Sequence, residues 1–543
     1  MVYLEQLLVR LVNFTYKQRI KILLILCITV LATVLYSLNK GIIFSDEAWY
    51  LLHLNPGIAT LNYSQWYSYV ITLFPDNLLL IRLSTIILFL VSTTVFAFGF
   101  KQFFQTGSLK EYLFLSLAGI FLLWIPAQLI PNNTSFNLII FYFGGGVFLL
   151  GLSSKSYKQL FLWGTLTGIA FSQLVFVMIT NLPFYLMILL IAVTLLKEKN
   201  TKLLFLIAII LGSLLGLVLF FLFITPLRDV YNNFLKASNY LSFIDSHGIK
   251  VILRWLVSTS FYFLREIMLP SILLLILLTN YLGKSKLNNL IIYSLLLYAV
   301  YSILRDIIYN STHLTSPAFI YIFICAIIIQ LIIRKEFTYV WLGLFSLSIP
   351  FFASLGTDVK FELRSTIYIM PALIFIYFYL CYTGNKNLLL VYFVILFICI
   401  GRFSGEYIFT PGWNGYIIAK QNKSLNSLNI NQNILIDSER YNIIKELQFY
   451  IPPKAEVLVS NNKLWGYVYL LGAKTPILYF NYNESLLKYY FKNNPLEVNC
   501  LYLLESKRAP FPDKIYVREI FITTDTIYLK QNFDLILYKM KRL

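Results

Sequence analysis

"ILLILCITVLATVLYSLNKGIIFSDEAWYLL", residues 22–52, runs from an unbroken apolar stretch into two adjacent carboxylates, Asp46 and Glu47. Ile22 to Leu38 is long enough to cross a bilayer, whose hydrocarbon core takes roughly 20 apolar residues. It continues into Asn39-Lys40 with no small-residue cleavage motif, so it reads as a retained first span rather than a secretory leader. Arg10, Lys17, Arg19 and Lys21, with apolar residues between them, read as a cytoplasmic interfacial helix over residues 1–21.

Composition carries this reading to the whole chain. Of its 543 residues 59% are hydrophobic and only 13% charged, against about 25% charged in soluble proteins. The mean hydropathy is +0.73. This is a polytopic membrane protein. The net charge of +19 does not mark a nucleic-acid binder, because the lysines mostly flank apolar segments and report topology. The cysteines, Cys27, Cys325, Cys381, Cys399 and Cys500, form no CxxC and no Cys/His cluster. Neither a disulfide framework nor a zinc site is supported.

About thirteen spans meet the length rule. They lie near 21–38, 78–100, 112–130, 135–152, 160–179, 182–196, 203–225, 266–282, 287–304, 316–333, 337–355, 365–382 and 387–402. Only Asn181 and Pro183 divide the fifth from the sixth. Cytoplasmic loops collect Lys and Arg. With the N-terminus inside, those loops hold Lys101 and Lys110, Lys155 and Lys158, Lys197, Lys199 and Lys202, Lys284 and Lys286, Arg334 and Lys335, and Lys386. All are basic, and residues 403–543 fall outside.

The remaining charges then sort by side. Asp46, Glu47, Asp76, Asp229, Asp245, Glu266, Asp306, Asp358 and Glu362 gather at the outer ends, as do all three histidines. Any chemistry belongs there. Two outer loops are long, 39–77 and 226–265, and their aromatic content suits helices lying in the interface plane. No inverted repeat is visible, which argues against a secondary transporter.

Beyond about residue 430 the apolar runs shorten and charge rises. "DSERYNIIKELQFYIPP" (437–453) reads as an amphipathic helix with Ser438 as N-cap. "AEVLVS" (455–460) reads as a strand, "NKLWGYVYLLG" (462–472) as a helix closed by Gly472, and "IYVREIFI" (515–522) and "FDLILYKM" (533–540) as strands. The expected fold is an all-α polytopic membrane domain (1–402), a linker (403–429) and a small extracytoplasmic α/β domain (430–543).

Asp46-Glu47 stands in a run too apolar for an exposed loop, with Ile42-Ile43-Phe44 before it and Ala48-Trp49-Tyr50-Leu51-Leu52 after it. Desolvation raises a carboxyl pKa and suits it to accept a proton. An ionisable residue near membrane depth is by default a functional candidate.

"DEAWYLL" (46–52) is similar to the first-loop signature of the GT-C superfamily of glycosyltransferases, which includes protein O-mannosyltransferases and the lipid A aminoarabinose transferase. "YIPPKAEVLVSNNKLWGYVYLLG" (450–472) is similar to the tail of many prokaryotic members, and the architectural resemblance covers most of the chain. The resemblance implies a GT-C fold, a polyprenyl-phosphate-linked sugar as donor, and transfer outside the cytoplasm to a glycan, lipid or protein. It implies Asp46 as general base, Glu47 as a residue orienting the acceptor or Asp46, and inversion at the anomeric carbon.

The leaving phosphate calls for cations on the outer face. Arg254, Arg265, Arg305 and Arg364 are the candidates, although Arg265 stands beside Glu266 and Arg305 beside Asp306, where ion pairing competes. Arg364 lies in "GTDVKFELRS" (356–365), which resembles a late outer loop of prokaryotic members. That loop usually carries asparagines after the Thr, where Asp358-Val359-Lys360 stand here. His53, seven residues after Asp46, shares its face on a first-loop helix and is either a phosphate or acceptor contact or an interface residue. His247 and His313 are weaker. Asn133 and Asn137 in "PNNTSFN" (131–137) either bind sugar hydroxyls or form a turn and N-cap; Asp306 is a further substrate-binding candidate. Asp46, Glu47, Asp229 and Asp306 offer oxygen ligands suited to magnesium or manganese. Oligosaccharide-transferring relatives use a metal and the monosaccharide-transferring branch generally does not, so a divalent cation stays open. Trp465, Tyr467 and Tyr469 are either a sugar platform or core.

Two competing classes predict other patterns. A transporter or lipid flippase would place ionisable residues in mid-span. A lipid-linked polymer ligase would centre on a late outer loop rich in Arg and His. The acid pair in the first loop favours the transferase, sited in the plasma (inner) membrane.

Overall fold

The computed structural model describes residues 2–52, 77–121, 133–177, 182–232, 315–354, 368–409, 417–426, 433–476, 499–511 and 520–543, isolated positions aside. The described residues up to 409 are mainly helical, and those beyond are mixed α/β. Helix α1 is continuous from Val2 to Ser37, so the separate interfacial helix expected over 1–21 is absent. No Gly or Pro interrupts the segment, and ending a helix at the bilayer surface would free backbone groups that the continuous ladder satisfies.

The short helix α2, Asp46–Leu52, follows. Next come α3 (Leu78–Phe104), α4 (Leu109–Phe121), α5 (Asn133–Ser153), α6 (Tyr157–Val177), α7 (Leu182–Leu195), α8 (Lys199–Phe223), α9 (Thr315–Ile333), α10 (Phe337–Ser354), α11 (Met370–Thr383) and α12 (Lys386–Phe409). Among the described residues, five stretches, in α1, α3, α5, α6 and α8, are long and apolar enough to cross a membrane, and shorter apolar helices lie in α7 and α9 to α12. The expected spans 266–282 and 287–304 lie outside the described residues, while each of the others contains a helix. The stretch 160–196 is two helices, α6 and α7.

Small residues set the helix spacing. A Cβ on Gly168 of α6 would sit 2.0 Å from the Ile209 carbonyl of α8, and one on Gly212 of α8 would sit 2.1 Å from the Thr165 carbonyl of α6. Backbones this close pack by dispersion in a medium that offers no hydrophobic drive. At the far end of the bundle, Ser108 and Glu111 form a capping box at the start of α4: each backbone N–H donates to the other's side chain, at 3.0 and 3.3 Å. The same Glu111, fully buried, accepts from Arg19 Nε of α1 at 2.8 Å.

The stretch 403–429 holds the last turns of α12, a 3-10 turn at Ile418–Lys420 and strand β1, Lys423–Asn426. β1 pairs antiparallel with β2, Asn433–Ile436. Helix α13 (Ser438–Tyr450) is capped by Asp437 rather than Ser438, with the Asp437 carboxylate accepting from Arg440 N at 2.9 Å. An ionised acceptor makes the stronger cap. Strand β3 (Val457–Val459), a 3-10 turn and helix α14 (Trp465–Leu470) lead to Gly472, whose φ of +65° closes the segment. Strands β4 (Cys500–Ser506), β5 (Phe521–Tyr528) and β6 (Leu535–Arg542) complete a sheet ordered β3-β4-β6-β5, with β3 parallel to β4 and the other pairs antiparallel. The strand expected over 515–522 begins only at Phe521, and Val517 and Ile520 before it are helical.

Two apolar cores result. One fills the helix bundle. The other joins Ile42, Phe44, Ala48, Leu51 and Leu52 of the first loop, with Ile81 of α3, Phe136 of α5 and Val177 of α6, to the inner faces of α13, α14 and the sheet. The C-terminal region is therefore seated on the loop that carries the acid pair.

Candidate active site

Asp46 is the first residue of α2 and Glu47 the second. The side chain of Asp46 lies outside the described residues; that of Glu47 is 1% exposed. Glu47 faces Arg82, in the second turn of α3, which is 2% exposed. Arg82 donates to Glu47 Oε1 from Nε at 2.9 Å and from Nη2 at 2.6 Å. Its Nη1 reaches the Leu38 carbonyl at 2.6 Å, and Nη2 also reaches the Gly41 carbonyl at 2.8 Å. One guanidinium thus fastens the end of α1, the turn after it and the second residue of α2 to α3. Glu47 therefore works as the anchor of α2 on the bundle.

The C-terminal region also grips the same loop. Gly466 N donates to the Phe44 carbonyl at 2.8 Å, and Gly41 N donates to the Leu435 carbonyl at 2.5 Å. Leu435 N returns a bond to Asn39 O at 3.1 Å. The Phe44 ring lies 4.7 Å from that of Tyr467, and the Arg440 guanidinium stands 4.7 Å over it. Trp465 is 0%, Tyr467 6% and Tyr469 5% exposed. Of the two readings of these aromatics, sugar platform or core, the structure takes core. Burial pushes the Tyr467 hydroxyl well above the ordinary phenol range, so it is neutral.

Asn133 opens α5, its side chain outside the described residues. Asn137, one turn on, is 2% exposed and donates to the Tyr368 hydroxyl at 2.6 Å. Tyr321 of α9 in turn donates to the Tyr368 carbonyl at 3.4 Å. Asn137 is thus a buried tie between α5 and the approach to α11. Arg254, Arg265, Arg305, Arg364, His53, His247, His313 and Asp306 lie outside the described residues. Among the described residues no cluster of three His, Cys, Asp or Glu side chains is placed to hold a metal ion.

Arg82 and Tyr368 were missed in the sequence. Arg82 carried a usable signal: it is the lone charge in the first turns of an otherwise apolar span, "LLLIRLSTII" (78–87), where a charge is expensive unless paired. Tyr368 carried none, being one of 40 tyrosines.

No family model and no curated protein matches the chain. Among solved structures, the chain is similar to ArnT from Cupriavidus metallidurans in the apo state, at a TM-score of 0.44 and 10% identity, over 95% of this chain and 97% of that one.

Proposed function

We propose that this protein is a GT-C-type membrane glycosyltransferase that moves one sugar from a polyprenyl phosphate to an acceptor on the extracytoplasmic face. The observation that carries the reading is the anchoring of the short helix that begins with the acid pair. Glu47 is bound by Arg82 at 2.6 Å, and Asp46 opens α2 at the junction of helix bundle and C-terminal region.

In the reaction, Asp46 takes the proton of the acceptor hydroxyl as its oxygen attacks the anomeric carbon. The bond from that carbon to the phosphate oxygen breaks on the opposite face, inverting the centre and releasing polyprenyl phosphate as the anion. A positioned base supplies roughly 10²–10⁴-fold. Positioning of the two substrates and cationic stabilisation of the leaving phosphate supply the rest. Arg254, Arg265, Arg305, Arg364 and His53 are the candidates for that second task, Asn133 and Asp306 for the sugar or acceptor.

The test is release of polyprenyl phosphate by the purified protein in lipid nanodiscs, on a panel of undecaprenyl- and dolichyl-phosphate sugars with candidate acceptors. Wild-type protein should release the carrier from one donor class, and Asp46→Asn should slow this at least 10²-fold, the lower bound for a lost base. Equal rates for variant and wild type would remove Asp46 from the mechanism.

A further inference from the structure

Phe44 stands two residues before the proposed base, and both its backbone and its ring are held by the C-terminal region. Its carbonyl accepts from Gly466 N at 2.8 Å. Its ring, 4% exposed, lies between Tyr467 and the Arg440 guanidinium. Asp437 holds that guanidinium at 3.0 Å and also caps α13. Gly466 approaches so closely that a Cβ there would fall 2.0 Å from Phe44 Cδ1 and 2.2 Å from Cγ. On the other side of Asp46, Glu47 is fixed to Arg82. Asp46 therefore sits between two clamps, one built by α3 and one by the C-terminal region.

We propose that Gly466 is a positioning residue: through its contact with Phe44 the C-terminal region sets the start of α2 and thereby the base. The region is then a working part of the active site and not an appended module. The proposal rests on the assignment of Asp46 as base, made above. Moving a reacting group by about 1 Å can cost on the order of 10²-fold in rate, and the added methyl of Gly466→Ala, 2.0 Å from Phe44 Cδ1, must displace the Phe44 ring by more than that to reach ordinary contact.

The experiment uses the full-length protein in nanodiscs and two readouts. Hydrogen–deuterium exchange of peptides covering residues 42–52 reads the order of α2 without any need for turnover. Release of polyprenyl phosphate reads kcat and donor KM. Gly466→Ala should speed exchange in 42–52 and lower kcat about 10- to 100-fold with donor KM unchanged. Phe44→Ala should do the same. The double variant should lose no more than the worse single one, because both break one contact. Arg440→Gln, which leaves Gly466 in place, should give a smaller loss in the same direction and keeps the test open should Gly466→Ala fail to fold.

Unchanged exchange in 42–52, full activity in Gly466→Ala, or additive losses in the double variant would each overturn the proposal. If wild-type protein releases no carrier from any donor, it is the assigned activity that fails. The exchange readout then decides by itself whether the C-terminal region sets α2.

Discussion

The contact between Glu47 and Arg82 is a buried ion pair, a kind of interaction whose cost appears when one partner is removed. Arg82→Met would leave the Glu47 carboxylate, at 1% exposure, without the two bonds it receives from the guanidinium. Loss of one partner of such a pair costs about 3–5 kcal/mol. A marked drop in the thermal unfolding midpoint is expected, and the double variant Glu47→Leu/Arg82→Met should regain part of it by removing the stranded charge. A double variant worse than Arg82→Met alone would refute this account. Glu456 behaves differently. Burial raises its carboxyl above the ordinary value while Lys474 pulls it down, and its Oε2 is buried with no hydrogen-bond partner among the described residues. A group whose folded pKa is raised contributes stability that is complete below its unfolded pKa, about 4.3 for Glu. That contribution is lost as pH rises through the folded value. Glu456→Gln should therefore raise the unfolding midpoint at pH 7 and leave it unchanged at pH 4. The same midpoint difference at both pH values would count against the assignment.

At the scale of elements, α6 and α8 show how a membrane helix pair is specified. "GTLTG" (164–168) and "GSLLG" (212–216) place small residues four apart, and Gly168 and Gly212 are where each backbone meets a carbonyl of the other helix. A side chain cannot be added without driving the helices apart. Gly168→Leu should lower stability by about 1–3 kcal/mol or more, whereas Leu214→Ala, at a position 54% exposed, should stay within about 0.5 kcal/mol. Thermal unfolding of the two purified variants compares them directly. Spans such as α3 and α8 were legible because length and hydropathy suffice to mark them. The strand β4, "CLYLLES" (500–506), escaped notice because its burial is nearly continuous and gives no alternation to read. The first turn of α13 was misplaced by one residue because Asp437 and Ser438 are both good caps, and only the observed bond to Arg440 N decides between them.

For the whole molecule, the seating of the C-terminal region on the first loop was beyond the sequence. Gly466 and Phe44 are 422 positions apart, and neither residue type announces a partner. The bias of charge, in contrast, was plain. The turns between α3 and α4, α5 and α6, α7 and α8, α9 and α10, and α11 and α12, together with the helix ends beside them, carry the lysines, while the C-terminal region bonds to Asn39 and Gly41, just past the C-terminal end of α1. The proposed orientation, with that region and Asp46 extracytoplasmic, can be read with the chain's own thiols. Cys27 is buried and Cys381 half-buried. Cys325 is exposed but shares α9 with the exposed apolar residues Ile329, Ile332 and Ile333, a face for lipid and not for an aqueous reagent. Among the described cysteines, Cys500, exposed at the start of β4, is the thiol that water reaches. In sealed right-side-out vesicles a membrane-impermeant maleimide should label the wild type, and Cys500→Ser should abolish that labelling. A cysteine placed at Lys155, in the exposed turn between α5 and α6, should react only once the vesicles are opened. The reverse pattern would put Asp46 on the cytoplasmic side and remove the extracytoplasmic transfer from consideration, since base and lipid-linked donor would then meet on the wrong face of the bilayer.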